Sequence, residues 1–243
     1  MLRLLALLSC LALPSHAEEI VSDLSRDEVS INVTFNGSDI LVFGAIRRDA
    51  PEPDGLLGVI VTVAGPEEDI TVRRKDRRFG IWVNVDEENI VEVPSFYAVA
   101  TSAPLEKVLL PDEDIREGVT FTQVVPAEDG SDFEDALIRI KEDQSKFQLN
   151  EGDVSLSRGT LFSTSIELPA NLTEGFYFNR ILLTRDGEII DRYETAIPVK
   201  KVGIERWLYN LAQQMPFWYG IMSLAIAIAA GWLASAAFSL ARR

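Results

Sequence analysis

Residues 217–240, FWYGIMSLAIAIAAGWLASAAFSL, run for 24 positions without one charged side chain. As an α-helix such a run is about 36 Å long, more than the hydrocarbon thickness of about 30 Å that a bilayer presents. A buried core helix needs later elements to cover it, and the chain as written continues only through Ala241, Arg242 and Arg243. The run therefore predicts one transmembrane helix at 217–240, with a short tail at 241–243. Phe217, Trp218 and Tyr219 fall where an interfacial aromatic belt belongs. Ala227, Gly231 and Ser235 are small residues four apart, a face suited to lateral association in a homodimer or against a helix of another membrane protein.

The opposite end reads MLRLLALLSCLALPSHA. Arg3 precedes an apolar run, Pro14 breaks it, and Ser15 and Ala17 have the small side chains that a signal peptidase requires. Residues 1–17 are expected to be a secretory signal cleaved after Ala17. Cys10 lies inside the apolar run, with part of that run still ahead of it, which disfavours lipidation there. Cation counts on the two sides of 217–240 do not decide orientation. The cleaved signal does, because it sends the following chain across the membrane until a stop-transfer segment halts it.

Signal removal takes away Cys10 and His16, the single cysteine and the single histidine of the sequence. Thiolate or imidazole nucleophiles, Ser-His-Asp triads, zinc sites built on those ligands and disulfide staples are then excluded. Losing Arg3, Arg242 and Arg243 leaves 20 of the 23 Lys and Arg against all 38 Asp and Glu, a net charge of -18 for the ectodomain. Such a charge opposes nucleic-acid binding. The acidic groups at 67–69, 86–88, 112–114 and 128–132 lack the register of a calcium loop and read as solvated turns. No catalytic residue, metal or cofactor is assigned, and the chain reads as non-enzymatic.

Between the two ends the pattern is mainly β. Val29, Ile31, Val33 and Phe35 alternate with polar residues, and Asn36-Gly37 has hairpin chemistry. ILVFGAI from Ile40 predicts a central strand covered on both faces, with Gly44 at a bulge or close backbone approach. Further short strands are expected at 59–64, 70–72, 80–85, 90–93 and 96–100, with Trp82 in the core. This predicts a first immunoglobulin-like β-sandwich over 18–112. PDEDIREG, residues 111–118, reads as a linker. A second sandwich is expected over 113–199, carrying one inserted helix near 131–144, where Ser131 and Glu134 have capping-box spacing. Its last two strands meet at Asp186-Gly187. Ile204, Trp207, Leu208 and Leu211 then predict an amphipathic juxtamembrane helix within 200–216.

The order of LVFGAI, VRRKDRRFGIWVN, VPSFYAVATSAPL, LFSTSIELPANLTEGFYF, the RDG hairpin and YGIMSLAIAIAAGWLAS resembles the alphaproteobacterial putative transmembrane protein family. The resemblance implies an inner-membrane protein of a Gram-negative cell, single-pass, with its N-terminal ectodomain in the periplasm and its C-terminus cytoplasmic. It also implies a membrane protein partner, a transporter of the sulfite or sulfonate exporter type, and it carries over no catalytic residues.

One block stands out against the acid background. RRKDRR places Arg73, Arg74, Lys75, Arg77 and Arg78 within six positions. Such a run either points into water and protects a sheet edge from pairing, or docks an acidic partner or a small anion. The sequence reading is thus an interaction or accessory module, with an anion- or solute-binding ectodomain as the alternative.

Overall fold

The fold is taken from a computed structural model that describes residues 18–25, 29–31, 37–48, 51–126, 131–201, 208 and 211–241. Of these, the residues from 18 to 29 and from 37 to 199 make one unit, and residues 30 and 31 with the segment from 200 onward belong to a second.

β4 (Leu57–Ala64), LGVIVTVA, is buried from Gly58 through Val63. A strand apolar on both faces must lie between two layers, and β4 does. It sits inside a six-stranded sheet of order β2-β12-β11-β4-β7-β8, formed by β2 (Val29–Ile31), β12 (Glu188–Lys201), β11 (Gly175–Arg185), β4, β7 (Tyr97–Thr101) and β8 (Phe147–Asn150). A four-stranded sheet, β1-β3-β10-β9, joins β1 (Glu18–Leu24), β3 (Ser38–Arg48), β10 (Leu161–Leu168) and β9 (Ser155–Ser157).

One face of the six-stranded sheet holds Ile60, Tyr97, Val99, Phe147 and Leu182 in a cluster with Val108, Val119, Val125 and Leu137 from the helical connection between β7 and β8. The opposite parity, Val61, Val63, Tyr177, Ile181 and Leu183, is equally buried, as are Ile40, Val42, Phe162 and Ile166 on one side of the smaller sheet, so these two sides serve as the inner faces of a sandwich. The result is three layers: sheet, sheet, helices.

This arrangement replaces the two expected sandwiches by one. β3 pairs with β10, and β4 pairs with β11, so strands from 18–112 and from 113–199 share both sheets and no boundary falls at 112. The helices lie in the connection between β7 and β8, which are parallel neighbours and so require a crossover. The expected linker is part of it: α1 (Leu105–Val108) is followed by α2 (Pro111–Glu117), with Pro111 at its first turn and Asp112, Glu113 and Asp114 favouring the positive end of its dipole. α3 (Phe121–Val124) and α4 (Asp132–Asp143) complete the layer. The Ser131 hydroxyl accepts the Glu134 N–H at 3.0 Å, the cap that the sequence indicates.

Further differences have local causes. β3 alternates instead of being covered twice, leaving Leu41 and Phe43 exposed on the outer face of the smaller sheet. Gly44 marks close approach and not a bulge: a Cβ there would meet Phe162 Cζ at 2.5 Å and the Val21 carbonyl oxygen at 2.7 Å. β2 and β3 lie in different sheets, so no hairpin joins them; residues 32–36 are outside the described set. The Asp186-Gly187 hairpin forms as expected, with Arg185 opposite Glu188. Residues 200 and 201 still belong to β12, while 202–207, which carry Ile204 and Trp207 of the expected juxtamembrane helix, are outside the described residues.

In the second unit, α5 (Pro216–Ala241) contains the expected span. Its stretch Pro216–Ala234 has a mean hydropathy of 1.7 and is wholly unburied, making it one helix long and apolar enough to cross a membrane.

Candidate functional site: the β5-β6 hairpin

β5 (Glu67–Arg78) and β6 (Ile81–Pro94) form a separate two-stranded antiparallel sheet. Its base is fixed. Val72, Ile90 and Val93 enter the apolar cluster under the helices, each burial contributing about 1.5–3 kcal/mol. Lys141 of α4, itself buried, donates to Glu68 Oε1 at 2.7 Å. Burial pushes the Lys141 ammonium below its usual range, and Glu68 opposes that shift.

Beyond Val72 the hairpin tip is open. All residues from Arg73 to Trp82 are exposed, on both faces. The turn is Phe79-Gly80, with φ of 50° and 87°, the double positive φ of a two-residue type I′ turn. Gly80 meets that demand without a Cβ; Phe79 meets it at a cost, and its side chain stands fully in solvent.

Cross-strand register separates two chemistries. Arg73, Arg74, Lys75, Asp76, Arg77 and Arg78 lie on β5, opposite Glu87, Asp86, Asn84, Val83, Trp82 and Ile81 respectively. The shift between Arg74 and Lys75 leaves Val85 as an extra residue in β6. Arg73 and Arg74 thus face acids, whereas Asp76, Arg77 and Arg78 at the tip face the apolar Val83, Trp82 and Ile81.

The five predicted cations are not equivalent. Arg73 Nε pairs with Glu87 Oε2 at 3.0 Å, and Arg78 Nε with Asp76 Oδ2 at 3.1 Å. Arg74 reaches Asp132 Oδ2 at 2.8 Å and lies over the Phe133 ring, 4.9 Å from its centroid, so it ties the hairpin to the start of α4. Exposed pairs of this kind contribute about 0–1 kcal/mol each. Lys75 and Arg77 have no ion pair among the described residues. The block is therefore one buttress, two locally neutralised arginines and two available cations beside Phe79 and Trp82.

Trp82 is 69% exposed, Ile81 64% and Phe79 107%, which corrects the core placement of Trp82. The signal for this was present: a strand paired with RRKDRR has charge on both faces, so neither face can be buried. Ala227 and Gly231 lie exposed on α5, and Ser235 follows on the same helix at the same spacing.

Residues 19–240 match the family described as "Putative transmembrane protein (Alph_Pro_TM)". The chain belongs to this family. Membership agrees with α5 as a helix able to cross a membrane and extends over the hairpin and both sheets. No curated protein matches the sequence. Among solved structures, the sporulation control protein Spo0M from Bacillus subtilis is matched over 82% of this chain and 56% of that chain, at 10% identity and a TM-score of 0.29. This chain thus spans about half the length of that protein, and a likeness at this level carries no argument about fold or activity.

Proposed function

We propose that this family member is a single-pass protein of the inner membrane whose body, in the periplasm, works as a non-enzymatic interaction module, with the β5-β6 hairpin as its contact surface. The observation that supports it is the exposure of Phe79, Ile81 and Trp82 next to Lys75 and Arg77 on a hairpin whose base is anchored in the core. Aromatic and arginine side chains are the groups that most often dominate protein interfaces. An acidic body with two available cations at one tip also favours a partner that presents carboxylates there. The candidate partner that the family resemblance implies is a membrane transporter of the sulfite or sulfonate exporter type. The alternative, an anion- or solute-binding ectodomain, has less support, because three of its five cations already hold carboxylates.

Co-purification from detergent-solubilised membranes tests this. The wild-type chain is expected to retain a specific protein that the Lys75→Ser, Arg77→Ser, Trp82→Ser triple variant loses. Equal recovery by the two forms, or recovery of nothing by either, would count against the hairpin as the contact surface.

A further inference from the structure

We infer that the free edge of β6 pairs antiparallel with the same edge of a second copy of this chain, over residues 81–85. The inference rests on the hairpin being a contact surface, and it names the occupant.

The two edges of the hairpin differ. Among the described residues β5 and β6 pair only with each other, so each strand has one unpaired side. β5 carries six consecutive charged residues, Arg73 to Arg78, the device by which exposed edges resist pairing. β6 carries Ile81, Trp82, Val83 and Val85 with only Asn84 among them, and four of these five positions are exposed. An exposed apolar edge of β-branched and aromatic residues is one that takes up another strand. A lone two-stranded ribbon is also marginal in water, whereas four strands are not.

Charge order along β6 selects the partner and the direction. The apolar stretch is followed at once by Asp86, Glu87 and Glu88. A parallel partner of the same sequence would set these acids beside one another. An antiparallel one centred on Val83 sets Ile81 opposite Val85 of the second copy and Trp82 opposite Asn84. Asp86 and Glu87 then come to the turn at Gly80 and Phe79, next to the end of the other copy's basic strand. The twofold relation makes each gain occur twice. With this register each tip ends opposite residue 87, short of Glu88 and Ile90, where β6 becomes half-buried and then buried. The irregularity at Val85 closes the segment on the other side.

Cysteine cross-linking of the full-length chain in detergent tests the register, using Cys10→Ser as the background so that no native thiol competes. At a twofold axis the two Val83 positions are about 4.5–5.5 Å apart between Cα atoms, within disulfide range. Val83→Cys is expected to form a disulfide-linked dimer under mild oxidation at micromolar concentration, at least ten-fold more than Lys75→Cys on the protected edge. Val83→Lys, which sets two like charges at the axis, is expected to weaken the non-covalent dimer at least ten-fold while the circular dichroism spectrum of the folded chain is unchanged. Equal linking through Lys75→Cys, or a Val83→Cys chain that stays monomeric, overturns the inference. If that monomeric variant still captures a different protein through the hairpin, self-pairing fails while the interaction-module reading stands.

Discussion

Glu18 is 4% exposed, and its carboxylate accepts from Arg48 Nε at 2.5 Å and from Arg185 Nη2 at 2.8 Å. Burial alone would push this carboxyl up, but hydrogen bonds from Arg48 and Arg185 outweigh it and hold the pKa below its ordinary 4.5. A group depressed in the folded state stabilises above its unfolded pKa and loses that contribution as pH falls through the folded one. Glu18→Gln, which leaves Arg48 with Glu52 and Arg185 with the Pro53 and Gly55 carbonyls, is expected to cost about 1.5–3 kcal/mol near pH 7. Denaturant titrations at several pH values should show the gap between the two proteins narrowing once pH drops below about 4.5. Tyr97 and Tyr177 act at the other extreme: burial pushes both phenols up to about 12, so the stability they carry is present below pH 10.0 and lost as pH rises toward 12. Asn179 is fully buried between the sheets, and neither of its side-chain polar atoms has a partner among the described residues. Asn179→Leu, close in shape and without polar atoms, is expected to raise stability by about 1 kcal/mol, read as an increased Tm.

At the scale of elements, the hairpin divides into a structural base and a free tip, and substitutions should divide the same way. Val72→Ala at the base removes buried methyl groups from the helix-side cluster and is expected to lower stability by about 1–2 kcal/mol. Trp82→Ala at the tip is expected to leave it within about 0.5 kcal/mol, because an exposed side chain has little packing to lose. Chemical denaturation of both variants checks the contrast. The tip also shows what the sequence could and could not convey. RRKDRR, its turn and the strand after it were legible as a hairpin end, but Trp82 carried a general preference for burial that the paired charges override. α4 was legible from Ser131 and Glu134, since a cap is a local interaction. α2 was not: its acidic surface resembles a linker, and only its packing beneath the sheet, with Arg180 donating to the Glu117 carbonyl oxygen at 2.7 Å, makes it part of the fold.

For the whole molecule the same distinction explains the expected pair of sandwiches. Strand periodicity is local and was legible, whereas the pairing of β3 with β10 and of β4 with β11 spans more than a hundred residues and leaves no short-range mark. A fragment ending at residue 112 would lack β10, β11 and β12 and is expected to remain unfolded by circular dichroism. In the function proposed above, the hairpin tip is where the chain meets its partner, whether a second copy or another protein. Photo-crosslinking in intact cells, with a reactive side chain at position 82 and, as a control, at the exposed body position 167, tests it most directly. A discrete cross-linked product from position 82 and none from 167 is the expected result. Products from neither position, or equally from both, would contradict it.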